Sequence, residues 1–325
     1  MTTILVSVVI PTCRRNDLLR RCLNAVLAQS LPAPCFEVIV IDDGGDGSAC
    51  ELVQAMAQAL PEGPVLRCAS TQHRRGPAAA RNLGWHMAVG EVIAFTDDDT
   101  IPSPDWLLGG LGALRPGLAA VSGRVVVPTR GPLTDFERMT KGLEHGEFVT
   151  ANAFVRRSTL FHLGGFDERF RRAWREDSDL QFRILAAGGR IGRAEGAVVK
   201  HPVRCVPWGV SLGQQRNVFF DALLYKKHRE LYRIKIRPQP PWQYYLIVLS
   251  TLFAIVAMLD GNWGWAACAV FLALALVFRF AWQRLRHASR SLHHVVEMFV
   301  TSMVIPFLSV FWRLAGAWRF RVFFL

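Results

Sequence analysis

The stretch Ile93-Ala94-Phe95-Thr96-Asp97-Asp98-Asp99 decides how this chain is read. An apolar run ends abruptly in three consecutive carboxylates. The run from Val92 to Phe95 reads as an interior strand. The acids then stand at the C-terminal end of that strand, the edge where open α/β sheets bind their ligands. Three like charges side by side repel one another unless a divalent cation or a solvated turn neutralises them. On these residues alone two readings stay open. Either Asp97 and Asp99 hold a metal ion that in turn holds a diphosphate, or the acids form a solvated turn capping a helix that starts near Thr100, Ser103 and Asp105.

Outward from this stretch, strands and helices alternate at the spacing of βαβ units. Leu5 to Ile10 reads as a buried strand ending at Pro11-Thr12, and the positions of Leu18, Leu19, Cys22, Leu23, Val26 and Leu27 predict a helix. Phe36 to Ile41 is a second strand, ending in Asp42-Asp43-Gly44, and Leu52, Met56 and Leu60 mark a second helix. Val65 to Cys68 is a weaker strand. Gly76-Pro77-Ala78-Ala79-Ala80-Arg81-Asn82 opens a third helix with proline in its first turn. Further strand candidates are Val121 to Val127 and Gly196 to Lys200, while Pro128 to Glu147 reads as loop with one short helix. The expected fold is α/β, a doubly wound and mostly parallel sheet. In such a sheet Asp42-Asp43 and Asp97-Asp99 share one edge, with Arg14, Arg15, Arg74, Arg75 and Arg81 near it. Acids there can bind metal, ribose or base, and arginines can bind phosphate. No GxGxxG follows the first strand and no GxxxxGK[ST] occurs, which argues against dinucleotide and P-loop sites.

Two later motifs carry more carboxylates and an imidazole. Glu176, Asp177 and Asp179 stand at the predicted first turn of a helix continuing through Leu180, Ile184 and Leu185. That placement suits simple helix-end electrostatics, and equally a general base aimed into the cleft. His201 follows the strand-like run to Lys200; imidazole with carboxylates suits Mn²⁺, so His201 is a candidate third ligand beside Asp97 and Asp99.

The chain of 325 residues carries a net charge of +12. An anionic partner is implied. No DNA-reading motif is present, and much of the excess lies at Lys226, Lys227, Arg229, Arg233, Lys235 and Arg237, just before an apolar tail, so a membrane surface is expected and nucleic acid is not. Seven cysteines include no CxxC pair, and reduced thiols in a cytosolic compartment are expected. Thr2 and Thr3 run straight into a strand without a basic n-region, so the catalytic part is expected to face the cytoplasm.

In order along the chain stand Val8-Val9-Ile10-Pro11-Thr12, Val40-Ile41-Asp42-Asp43-Gly44, Gly76-Pro77-Ala78-Ala79-Ala80-Arg81-Asn82, Phe95-Thr96-Asp97-Asp98-Asp99, Gly164-Gly165-Phe166-Asp167-Glu168 and Glu176-Asp177-Ser178-Asp179-Leu180. With these six motifs, from Val6 to Val203, the chain resembles family 2 glycosyltransferases of the GT-A fold. The resemblance implies inverting transfer of a sugar from a nucleotide diphosphate sugar. It implies a nucleotide pocket lined by Pro11, Thr12, Arg14, Asp43, Arg81 and Asp97, and Mg²⁺ or Mn²⁺ at Asp97 and Asp99. It makes Asp177 the catalytic base and puts Gly164, Gly165 and Glu176 on the acceptor side. The QxxRW motif of the processive members is missing: the nearest segment is Gly213-Gln214-Gln215-Arg216-Asn217, which favours single addition. Two other readings compete. A sugar nucleotidyltransferase would want a glycine-rich basic loop where Pro11-Thr12-Cys13-Arg14-Arg15 stands, and a non-catalytic membrane scaffold would not need intact acidic motifs.

The tail is apolar in long runs. Trp242 to Leu259 and Trp263 to Phe278 are free of charge and read as a membrane hairpin around Asp260-Gly261-Asn262; a span takes about 17–25 residues. Basic flanks at Arg284, Arg286 and Arg290 put both ends in the cytoplasm. Met298 to Trp312, interrupted by Pro306, reads as a third span or a kinked interfacial helix. His293, His294 and Glu297 read as interfacial polar residues. The expected organisation is a transferase domain over residues 1–205, an amphipathic juxtamembrane linker over 206–240 and a membrane-associated region over 241–325. The expected setting is the inner (plasma) membrane with a lipid-linked or cell-envelope saccharide acceptor.

Overall fold

Val6 to Thr12 and Phe36 to Asp42 are fully buried along their length, which only a strand covered on both faces requires. These are β1 (Val6–Thr12) and β2 (Phe36–Asp42) of one sheet, followed by β3 (Val65–Ser70), β4 (Val92–Thr96), β5 (Ile101–Pro102), β6 (Ala120–Val126), β7 (Asn152–Arg156) and β8 (Ile191–Lys200). The computed structural model describes residues 3–324. The order across the sheet is β3-β2-β1-β4-β7-β6-β8-β5. The β3-β2-β1-β4 half is parallel, as expected, and β6 runs parallel to β8. The expected sheet lacked β7, which runs antiparallel to both β4 and β6, and the short β5, antiparallel to β8. The sheet is therefore mixed. Asn152–Arg156 is a five-residue run after an irregular segment, with no periodicity long enough to announce it.

Apolar clusters pack on both faces of the sheet. One joins Val8, Val38 and Val40 to Leu19, Leu23 and Val53 of the first two helices, and the other joins Val9, Ile39 and Ile41 to Ala78, Ala80 and Trp85 of the helix Pro77–Met87. Alternate strand residues feed opposite faces, as the period of two demands. The helix Ser48–Ala59 packs along β3 and brings the Cα atoms of Cys50 and Cys68 to 5.3 Å, where the two are joined in a disulfide. This corrects the expectation of seven reduced thiols. Cys22 does fit it: burial pushes its thiol up, so it stays protonated, donating weakly to the Asp97 carbonyl.

Two compact units divide the chain. One runs to Pro128 and resumes over Lys141–Val203; the other comprises Thr129–Thr140 and everything from Arg204 onward. The second unit contains three helices long and apolar enough to cross a membrane, Trp242–Leu259, Trp263–Leu285 and Leu292–Phe320. The first two pack as an antiparallel pair with small residues buried, Ala254 and Ala257 on one and Ala266, Ala269 and Ala273 on the other. Leu249, Phe271 and Leu274 point outward. The third is one continuous helix through Pro306, with Arg313 buried beneath the Phe324 ring at 4.2 Å. Arg284 is also buried rather than flanking. The segment expected to be an amphipathic linker differs: Phe220 to Tyr225 are all buried, because the helix Val218–Lys227 lies against Leu292–Phe320, close enough that a Cβ on Gly316 would meet the Phe219 carbonyl oxygen. His294 and Glu297 stay structural, Glu297 accepting from the Gly209 amide at 2.8 Å.

Candidate active site

The C-terminal ends of β1, β2 and β4 bring Thr12, Asp42 and Asp97 to one edge, since these strands are parallel neighbours. There the carboxylates divide their work. Asp98 turns inward: Thr12 Oγ1 donates to it at 2.7 Å and Arg15 at 3.1 Å. Burial pushes the Asp98 carboxyl up to about 6, against the pull of Arg15 and Thr12. Asp97 and Asp99 turn the other way. They converge with His201, their ligand atoms all within 4.8 Å of one another. His201 Nε2 lies 3.5 Å from Asp99, and His201 Nδ1 is buried with no hydrogen-bond partner among the described residues. β8 supplies this histidine, its amide anchored on the Val126 carbonyl at 2.8 Å. Three acids can be adjacent here because cations share them: Arg15 lies 3.1 Å from Asp98 and 3.6 Å from Asp99, and Arg81 donates to Asp97, the one of the three that keeps some exposure. The gathering of Asp97, Asp99 and His201 was legible in sequence; the hydrogen bonds of Asp98 to Thr12 and Arg15 were not.

Asp43, which the motif implies for the nucleotide pocket, is also bonded within its own chain. It accepts from Thr71 Oγ1 at 3.0 Å and from the amides of Arg75 and Gly76, both at 2.8 Å. It thus clamps the loop that starts the helix Pro77–Met87. That loop threads tightly: Gly76 has φ +96°, and a Cβ there would lie 2.5 Å from the Arg171 carbonyl oxygen. Asp42 likewise holds the Gly44 and Gly47 amides. Arg14, expected in the nucleotide pocket, is exposed and pairs loosely with Asp46 at 3.7 Å. Pro11 is buried in β1.

Arg81 is the connection that sequence reasoning missed. Expected to line the nucleotide pocket, it is instead 2% exposed and spans two motifs. Its Nη2 donates to Asp97 at 2.8 Å and its Nη1 to Glu176 at 3.0 Å. Burial alone would weaken its charge, but Asp97 and Glu176 more than restore it. Nothing in the spacing could have shown a pair 95 positions apart. Glu176, expected toward the acceptor, is thereby an internal partner, 3% exposed, with Oε2 buried and unpartnered. The next residue, Asp177, is only partly buried. It accepts from the Ser178 amide at 2.6 Å, and Arg175 precedes it in the left-handed region at φ 75°. Burial raises the carboxyls of both Glu176 and Asp177, and the charge of Asp177 raises Glu176 further, against Arg81.

Gly164 and Gly165 also read differently in three dimensions. Gly164 ends the helix Arg157–Leu163 in the left-handed region, and a Cβ on Gly165 would collide with Asn82 Oδ1. Gly165 thus faces the chain's own Asn82 and Trp85, while Gly164 has open space around it and is required by its backbone conformation, φ +70°. Asn82 closes the motif by donating to the Phe166 carbonyl and to Glu168.

The comparisons with known proteins bear on this geometry. The model of "Glycosyl transferase family 2" matches residues 7–175, and that of "Glycosyl transferase family group 2" matches 92–314. The chain belongs to glycosyl transferase family 2. Glycosyltransferase AglE of Haloferax volcanii is 28% identical to this family 2 chain over 223 residues, 66% of this chain and 71% of the relative. A GalNAc(5)-diNAcBac-PP-undecaprenol beta-1,3-glucosyltransferase of Campylobacter jejuni is 28% identical over 153 residues, 46% of this chain and 47% of that one. Among solved structures, the mannosyltransferase PcManGT of Pyrobaculum calidifontis, in complex with GDP-Man and Mn²⁺, aligns over 98% of this chain and 88% of its own, at 21% identity and a TM-score of 0.61. The GT-A fold of this family 2 glycosyltransferase follows. Its reaction class is inverting transfer from a nucleotide sugar. Asp97, Asp99 and His201 form an acidic and imidazole triad of the composition that holds a divalent cation.

Proposed function

We propose that this enzyme adds one sugar, from a nucleotide diphosphate sugar, to a lipid-linked acceptor at the cytoplasmic face of a membrane. The single observation that carries the active-site reading is the Arg81 bridge, which ties the acidic strand end at Asp97 to the carboxylate pair Glu176-Asp177. Asp97, Asp99 and His201 are the residues to hold Mg²⁺ or Mn²⁺; the buried, unpartnered Nδ1 of His201 and the mixed oxygen and nitrogen donor set support this. When bound, such a cation supplies Lewis-acid stabilisation of a leaving diphosphate. The chain's own residues do the rest. Asp177, accessible where Glu176 is not, takes the proton from the acceptor hydroxyl as that oxygen attacks the anomeric carbon. Arg81 holds Glu176 in place, and so sets where Asp177 stands. A diphosphate leaves without needing a proton, so one base suffices and a glycosidase-like pair is not required. The lipid-linked acceptor is supported by the three apolar helices and by the undecaprenol-linked substrate in the name of the Campylobacter relative.

A donor screen tests this reading. With Mn²⁺ and a panel of nucleotide sugars, one donor should release its nucleoside diphosphate slowly to water, and chelation should stop it. Asp99→Ala should weaken donor binding at least tenfold when binding is measured with Mn²⁺, and change it little without metal. Exchange that depends on pyrophosphate would instead mark a nucleotidyltransferase. A pH dependence follows from the raised carboxyls of Glu176 and Asp177. The base works ionised, so the transfer rate should climb with pH through a midpoint above the ordinary carboxylate range. Stability runs the opposite way. The folded state holds these protons more tightly than the unfolded chain, so their contribution is complete below the ordinary carboxylate pKa and is lost as pH rises through the raised values. A rate profile that shows no rise with pH above the ordinary carboxylate range would contradict the assignment.

A further inference from the structure

A polar cavity lies wholly within the unit that carries the apolar helices. It measures about 310 Å³ and is lined by Arg138, Gln214, Tyr244, Phe280 and Arg284, among others. Tyr244 stands near the start of Trp242–Leu259, while Phe280 and Arg284 stand near the end of Trp263–Leu285. In an antiparallel pair these are the same end, where a membrane helix meets the headgroups. The Tyr244 and Phe280 rings meet edge to face at 5.0 Å.

The polar groups of this cavity are unevenly satisfied. Arg284 is nearly saturated: it donates to Thr301, Ser302, Ser211 and Asp135 at 2.7, 3.0, 3.2 and 2.9 Å. Asp135 is the cavity's acid, and both its oxygens are engaged, the second by Arg138 Nη2 at 3.0 Å. One carboxylate thus stands against two guanidiniums, and the lining keeps a net positive charge. Three side chains keep donors to spare. Arg138 makes its bonds through Nη2 alone, to Asp135 and the Arg284 carbonyl, so Nε and Nη1 have no partner among the described residues. Neither the Gln214 amide nor the Tyr244 hydroxyl has one either. Phe280 and Ile305 add apolar wall beside them. Donors without acceptors, a positive balance and an apolar flank at headgroup depth fit one chemistry: phosphate oxygens on an apolar chain.

We propose that this cavity binds the phosphate group of a membrane lipid, the lipid-linked acceptor among them. The proposal deepens the lipid-linked reading above and rests on it for the acceptor's identity, but not for the binding itself. Arg138 pairs with a phosphate oxygen through the free edge of its guanidinium, Gln214 and Tyr244 donate to others, and the chain lies along Phe280 and Ile305.

Binding to the full-length protein in detergent tests it directly, with geranylgeranyl diphosphate, geranylgeraniol and inorganic diphosphate as three probes. The prenyl diphosphate should bind, and geranylgeraniol should bind at least tenfold more weakly. Gln214→Met and Tyr244→Phe, which break no bond within the protein, should each weaken the diphosphate probe several-fold, and Arg138→Gln about tenfold. Inorganic diphosphate competing for the site would support the phosphate pocket and identify a free anion as a second source. Equal affinity for the alcohol and the diphosphate, or Gln214→Met/Tyr244→Phe binding like the wild type, would overturn it. Donor hydrolysis measured on the same proteins separates the two readings: the three variants should release nucleotide normally. A protein without donor hydrolysis that still binds the probe would sink the transferase reading and leave the pocket standing.

Discussion

Asp177→Asn is expected to lower kcat for sugar transfer by about 10²–10⁴-fold, the usual contribution of a positioned general base. Asparagine keeps the size and can still accept from the Ser178 amide, so the start of the helix Glu176–Ala186 should hold. It cannot take a proton. Donor affinity, measured by titration with Mn²⁺ present, should stay within about twofold, because Asp177 is not among the three residues of the triad. A fall in kcat without loss of donor binding is the signature of a group used mainly in the transition state. Near-normal turnover by this variant would refute the assignment. Glu176→Gln is the control for the neighbour. It removes a like charge beside Asp177, so the midpoint of the pH-rate profile should move down.

The second large effect is on stability. Arg81→Met should destabilise the protein by about 3–5 kcal/mol, the cost of breaking a buried ion pair from one side. Arg81 and Glu176 are both almost fully enclosed, and methionine leaves the Glu176 carboxylate without its counter-charge. Thermal unfolding in detergent should show a fall on the order of 10 °C. Arg81→Lys should lose most of this as well: one ammonium cannot span carboxylates that a planar guanidinium reaches with two nitrogens. Adding Glu176→Gln to Arg81→Met should recover part of the loss, since an uncharged amide is far cheaper to bury. A strictly additive double variant would show that the pair is not coupled and that the bridge does not organise the site.

Such a bridge gives the fold a specific task. β4 delivers Asp97 and Asp99 at its end, and the helix Glu176–Ala186 delivers Asp177 from a distant part of the chain. Neither element alone fixes the distance between Asp97 and Asp177. A single buried guanidinium bonded to both does, and the Asp43 clamp on the Arg75 and Gly76 amides fixes the loop from which the Arg81 helix starts. The positions most sensitive to substitution should therefore include residues that never touch substrate.

Several features were legible in the sequence because they are local. Buried runs such as Val6–Thr12 and Phe36–Asp42 show as mostly apolar, β-branched segments, proline marks the start of Pro77–Met87, and the charge-free stretches after Pro241 locate the apolar helices, the first of them, Trp242–Leu259, to the residue. The gathering of Asp97, Asp99 and His201 could be expected because the C-terminal ends of parallel strands share an edge. What the tertiary structure alone decided is which way each side chain turns and what it meets. Asp98 faces Thr12 and Arg15 rather than the open edge, Asp43 holds amides of its own chain, Arg81 joins residues from two remote motifs, and Cys50 finds Cys68 across a helix-strand contact. The antiparallel β7 belongs to the same class. Periodicity encodes which residues are covered, because burial follows from the geometry of one helix or strand. It carries no record of partners, because a hydrogen bond between residues far apart in the chain depends on how whole elements are placed against one another.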